Sequence, residues 1–257
     1  MPLPSVPSLD SNQVTAYCIN LDRRPDRWEE AQREWAKFSD VPENLFRVKA
    51  VDLGSAAGCG LSHQLCVDHA KRKGFGFILV LEDDVVFKPN ARELWRQQIS
   101  ALVKQERCDL FRPGLSGVLS SNALEAPLHQ IKDASGLFIT LYFESGYDTV
   151  LQWRPEWGHI DRWLSSHPRL VNLTALPFLA TTSDGLSDIR RAEVKDSQVI
   201  AQAEARLAAQ SAQQPQPTQS SQPVQSSQPL APIQGKNTLG VPVRTTDGRL
   251  LRVLNSK

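Results

Sequence analysis

Phe77-Ile-Leu-Val-Leu-Glu-Asp-Asp-Val-Val86 (FILVLEDDVV) sets five apolar residues directly against three carboxylates, after which apolar residues resume. An unbroken apolar run of this length is expected of a strand covered on both faces. Leu81 then ends the buried part, and Glu82, Asp83 and Asp84 emerge at the carboxyl edge of the sheet. Side chains alternate along a strand, so Glu82 and Asp84 are expected on one face and Asp83 on the other. Three adjacent carboxylates repel, and burial aggravates this. Solvent can relieve the repulsion, and so can a hard divalent cation such as Mg²⁺ or Mn²⁺, which takes carboxylate oxygens and fills its remaining positions with water or phosphate. The motif by itself leaves both open.

Outward from this strand, extended and helical patterns alternate. Thr15–Leu21 reads as a strand. Pro25, with its φ preset for a first helical turn, opens a helix whose Trp28, Ala31, Trp35 and Phe38 share one face. Residues 45–51 read as a strand, 61–73 as a helix closed by Gly74, about 89–106 as a helix with Leu94, Ile99, Leu102 and Val103 inward, and 108–111 as a short strand. The alternation argues an α/β domain with a mostly parallel central sheet flanked by helices, its functional loops at the carboxyl ends of the strands.

Composition sets the outer limits. Lys plus Arg number 29 and Asp plus Glu 28, so there is no global charge to attract nucleic acid or an anionic membrane. No run approaches the ~20 apolar residues of a transmembrane helix. Residues 1–13, MPLPSVPSLDSNQ, lack a basic start and an apolar stretch, so they read as a disordered arm without a secretory signal, and the expected location is cytoplasmic. The four cysteines show no C-x-x-C spacing and no histidine cluster in sequence, which speaks against a zinc site. Residues 14–209 form the expected folded domain. Residues 210–235, almost only Gln, Ser, Pro and Ala, read as a disordered linker, and residues 236–257 as a short tail able to form a hairpin about Asp247-Gly248.

Other polar motifs sit at expected strand ends. Ile19-Asn-Leu-Asp-Arg-Arg-Pro-Asp-Arg27 carries three arginines, whose forks suit phosphate, or which pair locally with Asp22 and Asp26. Asp52 ends the second strand. Gly58-Cys-Gly-Leu-Ser-His63 is a glycine-bearing turn into a helix that Ser62 could cap, with His63 facing the site or serving the core. Asp161 can act as a base or simply cap a helix over 162–166.

Taken in order, INLDRRPDR, AVD, GCGLSH, LVLEDDV, His159-Ile-Asp-Arg-Trp-Leu164 and Asp184-Gly-Leu-Ser-Asp-Ile189 resemble the motifs of glycosyltransferase family 25, which includes lipopolysaccharide-modifying enzymes of bacteria and procollagen galactosyltransferases. Two departures stand out: Leu53 follows Asp52 where the family has glycine, and residues 112–149 match loosely. The resemblance implies a GT-A-like fold and a hexosyltransferase taking galactose or glucose from a UDP-sugar with inversion. Mn²⁺ or Mg²⁺ would be held by Asp84 and Glu82, with Asp83 beside them. Asn20, Leu21, Arg23, Arg24 and Arg27 would contact the nucleotide, Asp52 its base or ribose, and His63 the same site. Asp161 would be the general base. Partners would be the nucleotide-sugar donor and a glycan, lipid-linked glycan or protein acceptor. The competing expectation is a catalytically inactive member serving as an interaction module.

Overall fold

The computed structural model describes residues 9–187, 192–213, 243–244 and 250–251. The first compact unit contains β1 (Ala16–Asn20), α1 (Pro25–Phe38), β2 (Leu45–Lys49), α2 (Ala56–Lys73), β3 (Phe77–Glu82), β4 (Val85–Phe87), α3 (Ala91–Leu102), β5 (Leu110–Phe111), β6 (Gly117–Ala123), β7 (Leu128–Ser135), β8 (Ile139–Phe143), α4 (Glu144–Val150), α5 (Ile160–Ser166), β9 (Asn172–Ala175), β10 (Ala180–Thr182), β11 (Gly185–Ser187), β12 (Ala192–Val194) and α6 (Asp196–Gln213). The central sheet runs β2-β1-β3-β8-β5-β9-β7-β6. Six strands share one direction, and β8 and β7 run against them. This is the expected α/β architecture, with six of the eight strands in one direction.

β3 is buried on both faces, as its unbroken apolar run requires. Leu79 and Leu81 join the cluster under α1 and α3, with Trp35, Phe38 and Trp95. Ile78 and Val80 join the opposite cluster, with Val67 and Ala70 of α2 and Tyr147 and Val150 of α4. The strand ends at Glu82, Asp83 and Asp84 form a turn, and β4 follows at once. β4 pairs antiparallel with β10, and the Ser183 N–H donates to the Asp84 carbonyl at 2.8 Å. The carboxylates are therefore held in a pinned turn, where the sequence pattern suggested a free strand end.

Several expectations need correction. Leu9 belongs to the core: it is fully buried, and its carbonyl accepts the Trp95 Nε1–H at 2.6 Å. An apolar side chain able to cover the α3 tryptophan overrides the Pro/Ser-rich composition around it. α2 starts at Ala56, five residues before the expected start, so Gly58 and Gly60 lie inside a helix. They are there for close approach: a Cβ on Gly58 would fall 2.3 Å from the Val51 carbonyl oxygen, and one on Gly60 2.5 Å from the Trp153 ring. Ser62 is thus no cap. Its hydroxyl donates to the Gly58 carbonyl and accepts the Val51 N–H, tying α2 to the loop after β2. Gly74 closes α2 with φ +69°, as expected. α3 stops at Leu102, not near 106.

Residues 112–149, where the motif match is loose, hold the β6–β7 hairpin, β8 and most of α4. Ala192–Val194 pair with Gly185–Ser187, and α6 begins after them at Asp196. α6 continues past the expected boundary at 209 to Gln213: Leu207 is buried, and Gln210 and Ser211 bond to Ser121 and His129 of the hairpin. The rest of the expected linker, from residue 214, and Asp188 lie outside the described residues. Residues 217–257 form a second unit, in which β13 (Val243–Arg244) pairs antiparallel with β14 (Leu250–Leu251). Among the described residues no helix is long and apolar enough to cross a membrane.

Candidate functional site

The site gathers around the Glu82-Asp83-Asp84 turn, and the three carboxylates have different surroundings. Asp83 faces β1 and α1. Its Oδ2 accepts from Asn20 Nδ2 at 2.6 Å and its Oδ1 from Arg27 Nη1 at 3.2 Å. Burial raises its pKa, and Asn20 and Arg27 partly offset this. Asp84 is less well served. Arg27 Nη1 is 3.7 Å from Oδ2, while Oδ1 is buried without a hydrogen-bond partner among the described residues. Burial, then Glu82, then Asp83, pushes the Asp84 carboxyl up to about 8, with Arg27 acting in the opposite direction. Glu82 turns to α2, its Oε1 lying 3.6 Å from Cys59 Sγ and 3.4 Å from His63 Nε2.

Two cavities meet at this turn. Leu21, Arg23, Arg27, Asp52, Glu82, Asp83 and Asp84 line the first. Glu82 and Asp84 also line the second, with Cys59, Gly136, Asp161 and Arg162. Arg23 and Asp52 form an ion pair at the rim of the first. Most of the expected residues therefore converge on one place, including Asp161, which lies 77 positions beyond Asp84 in the chain.

Three expected ligand contacts are placed elsewhere. Asn20 is buried and fully committed: its amide nitrogen donates to the Arg24 carbonyl and Asp83, and its oxygen accepts from Arg47 Nε at 2.8 Å. It is a strut for Asp83. The Arg24 side chain bonds Asp26, holding that carboxyl down at about 2. His63 is fully buried between Glu82 and Tyr142, whose hydroxyl is 3.0 Å from Nδ1. Its Nε2 lies 3.4 Å from Glu82 Oε1, behind the cavity wall.

Asp161 lies in the first turn of α5, with His159 at the N-cap. Its Oδ2 accepts the Gly136 N–H and its Oδ1 the Arg162 N–H, each at 2.8 Å. The Gly136 carbonyl is gripped in turn by Arg112 Nε at 3.1 Å and Nη2 at 2.5 Å, while Arg112 Nη1 donates to Ser165 Oγ. Gly136 has φ +95°, and a Cβ there would strike Ser116. Arg112 is completely buried, and burial pulls its pKa down to about 10 against the opposing field of Asp161. Sequence reasoning passed over Arg112, because an arginine before Pro-Gly looks like a surface turn. It also passed over Cys59 as a partner of His63, although a spacing of four puts both on one helical face. Trp153 is core. Trp157 is half exposed and stacks on Trp163 at 5.5 Å.

The donor set suits a divalent cation. Asp84 offers a buried carboxylate oxygen with no hydrogen-bond partner among the described residues, and Glu82 supplies a second carboxylate. No family model matches the sequence, and no curated protein matches it. The fold overlaps with several solved structures. One is A197 from STIV, at TM-score 0.43 and 11% identity, covering 70% of this chain and 93% of that one. Another is a glycosyltransferase involved in glycosylation of the major capsid of PBCV-1, at 0.44 and 10%, covering 72% and 98%. A third is UDP-glucose pyrophosphorylase complexed with UDP-glucose, at 0.45 and 13%, covering 79% and 85%. At TM-scores below 0.5 these likenesses carry no weight for the chemistry.

Proposed function

We propose that the chain is a metal-assisted glycosyltransferase, moving a hexose from a UDP-sugar to an acceptor hydroxyl with inversion. The observation that carries this reading is the buried, unpartnered oxygen of Asp84 in a three-carboxylate turn shared by two cavities. The resemblance to glycosyltransferase family 25 gives the donor class and the stereochemical course.

In this reading the first cavity takes the donor. Arg23 and Arg27 meet the phosphates, the Leu21 segment borders the nucleotide, and Asp52 accepts a hydrogen bond from base or ribose. Asp84 and Glu82 would hold Mn²⁺ or Mg²⁺, which when bound offsets the charge gathering on the leaving diphosphate. The second cavity takes the acceptor, a glycan, lipid-linked glycan or protein hydroxyl. The hydroxyl oxygen attacks the anomeric carbon from the face opposite the leaving group. The bond from that carbon to the diphosphate oxygen breaks, and the hydroxyl proton passes to Asp161. Each carboxylate oxygen has two lone pairs, so Asp161 can take that proton while Gly136 and Arg162 keep it aimed.

Calorimetric titration of UDP with Mn²⁺ and again with EDTA tests this. Micromolar binding only with metal is expected, followed by metal-dependent hydrolysis of UDP-glucose or UDP-galactose. Equal heats in both buffers, or none, would overturn the reading and leave the inactive interaction module.

A further inference from the structure

We propose that Cys59, His63 and Glu82 form a binding site for a borderline-soft divalent cation of the zinc class. The sequence spoke against such a site because its cysteines lack the usual spacing. The fold supplies what the spacing did not. Cys59 and His63 sit one turn apart on α2, and the end of β3 brings Glu82 against both. The Sγ, Nε2 and carboxylate oxygen atoms all lie within 4.8 Å of one another.

The two distances to Glu82 match those of a coordination shell. A tetrahedral zinc, with Zn–S ~2.3 Å and Zn–N and Zn–O ~2.0–2.1 Å, separates sulfur from oxygen by roughly 3.5 Å and nitrogen from oxygen by roughly 3.4 Å. Here the same pairs are 3.6 Å and 3.4 Å apart. As a hydrogen bond, 3.4 Å between nitrogen and oxygen is long. The other ring nitrogen of His63 is 3.0 Å from the Tyr142 hydroxyl, which can accept its N–H and fix the tautomer that leaves Nε2 free to ligate. Cys59 and Glu82 border both cavities, so a fourth position opens toward them. Binding forms one Zn–S bond and releases the Cys59 thiol proton to water. The site stands independently of the transferase reading. Glu82 has two carboxylate oxygens, so the two cations do not exclude each other.

The test uses the full chain stripped with EDTA and titrated with Co²⁺. The expected result is one equivalent giving a thiolate-to-cobalt charge-transfer band and the strong visible absorption of tetrahedral cobalt, both erased by Zn²⁺. Cys59→Ser loses the charge-transfer band. Cys66→Ser, which alters a buried thiol on the same helix, keeps it. Glu82→Gln weakens Co²⁺ binding at least about tenfold. No band in the wild type, or a band surviving in Cys59→Ser, overturns the proposal.

Discussion

Replacing Asp84 by asparagine removes a charge that the metal-free fold disfavours, and the sign of the consequence changes with metal. The Asp84 carboxyl is raised from 3.8 to about 8, by burial first and then by Glu82 and Asp83. Between those values the folded chain keeps a proton that the unfolded chain releases, so this group's contribution to stability falls as pH rises. It is fully present below pH 4 and gone above about pH 8. Each pH unit in the window is worth at most ~1.4 kcal/mol, so pH 5 to pH 7 caps the effect at about 3 kcal/mol. A quarter of the side chain is open to solvent and Arg27 lies 3.7 Å away, which reduces the expectation to roughly 1–2 kcal/mol. Asparagine does not titrate. Urea unfolding of both proteins in EDTA should therefore show the stability difference moving in favour of Asp84→Asn by that amount between pH 5 and pH 7. With saturating Mn²⁺ and UDP the order should invert, because only the wild type gains from binding. A difference that stays flat with pH, or a variant that keeps metal-dependent UDP binding, would refute the placing of Asp84 as a strained ligand.

Deleting residues 1–13 should cost about 2–4 kcal/mol in urea unfolding, since it uncovers the Leu9 pocket and orphans the Trp95 N–H; unchanged stability would return the arm to a spectator. Gly60→Ala should destabilise by about 1–3 kcal/mol, because its new methyl meets the Trp153 ring inside a packed layer. Arg112→Met should lower stability by about 3 kcal/mol or more by stripping the Gly136 carbonyl and Ser165 of their donor, and should depress turnover further by loosening the peptide that orients Asp161. Truncation after residue 216 should leave a folded unit that still binds UDP with Mn²⁺. Truncation after Ala209 should lower the melting temperature, since it removes the α6 contacts to Ser121 and His129.

The parts of the fold that local pattern controls were legible in the chain. The apolar run of β3 required cover on both faces, the spacing of Ala31, Trp35 and Phe38 defined the inner face of α1, Gly74 closed α2, and three carboxylates had to follow Leu81. What the sequence could not decide was which groups far apart in the chain would share those carboxylates. Asn20 and Arg27 reach Asp83 across 63 and 56 positions, while one buried oxygen of Asp84 has no partner among the described residues. His63 and Cys59 meet Glu82 only because α2 packs beside β3. Arg112, which any local rule assigns to the surface, is buried because the Gly136 carbonyl and Ser165 satisfy it. Periodicity reports the environment of a residue within its own element. Charge pairing and desolvation depend on the approach of separate elements, so the tertiary structure alone decided which of the chain's acidic groups were brought together and shielded.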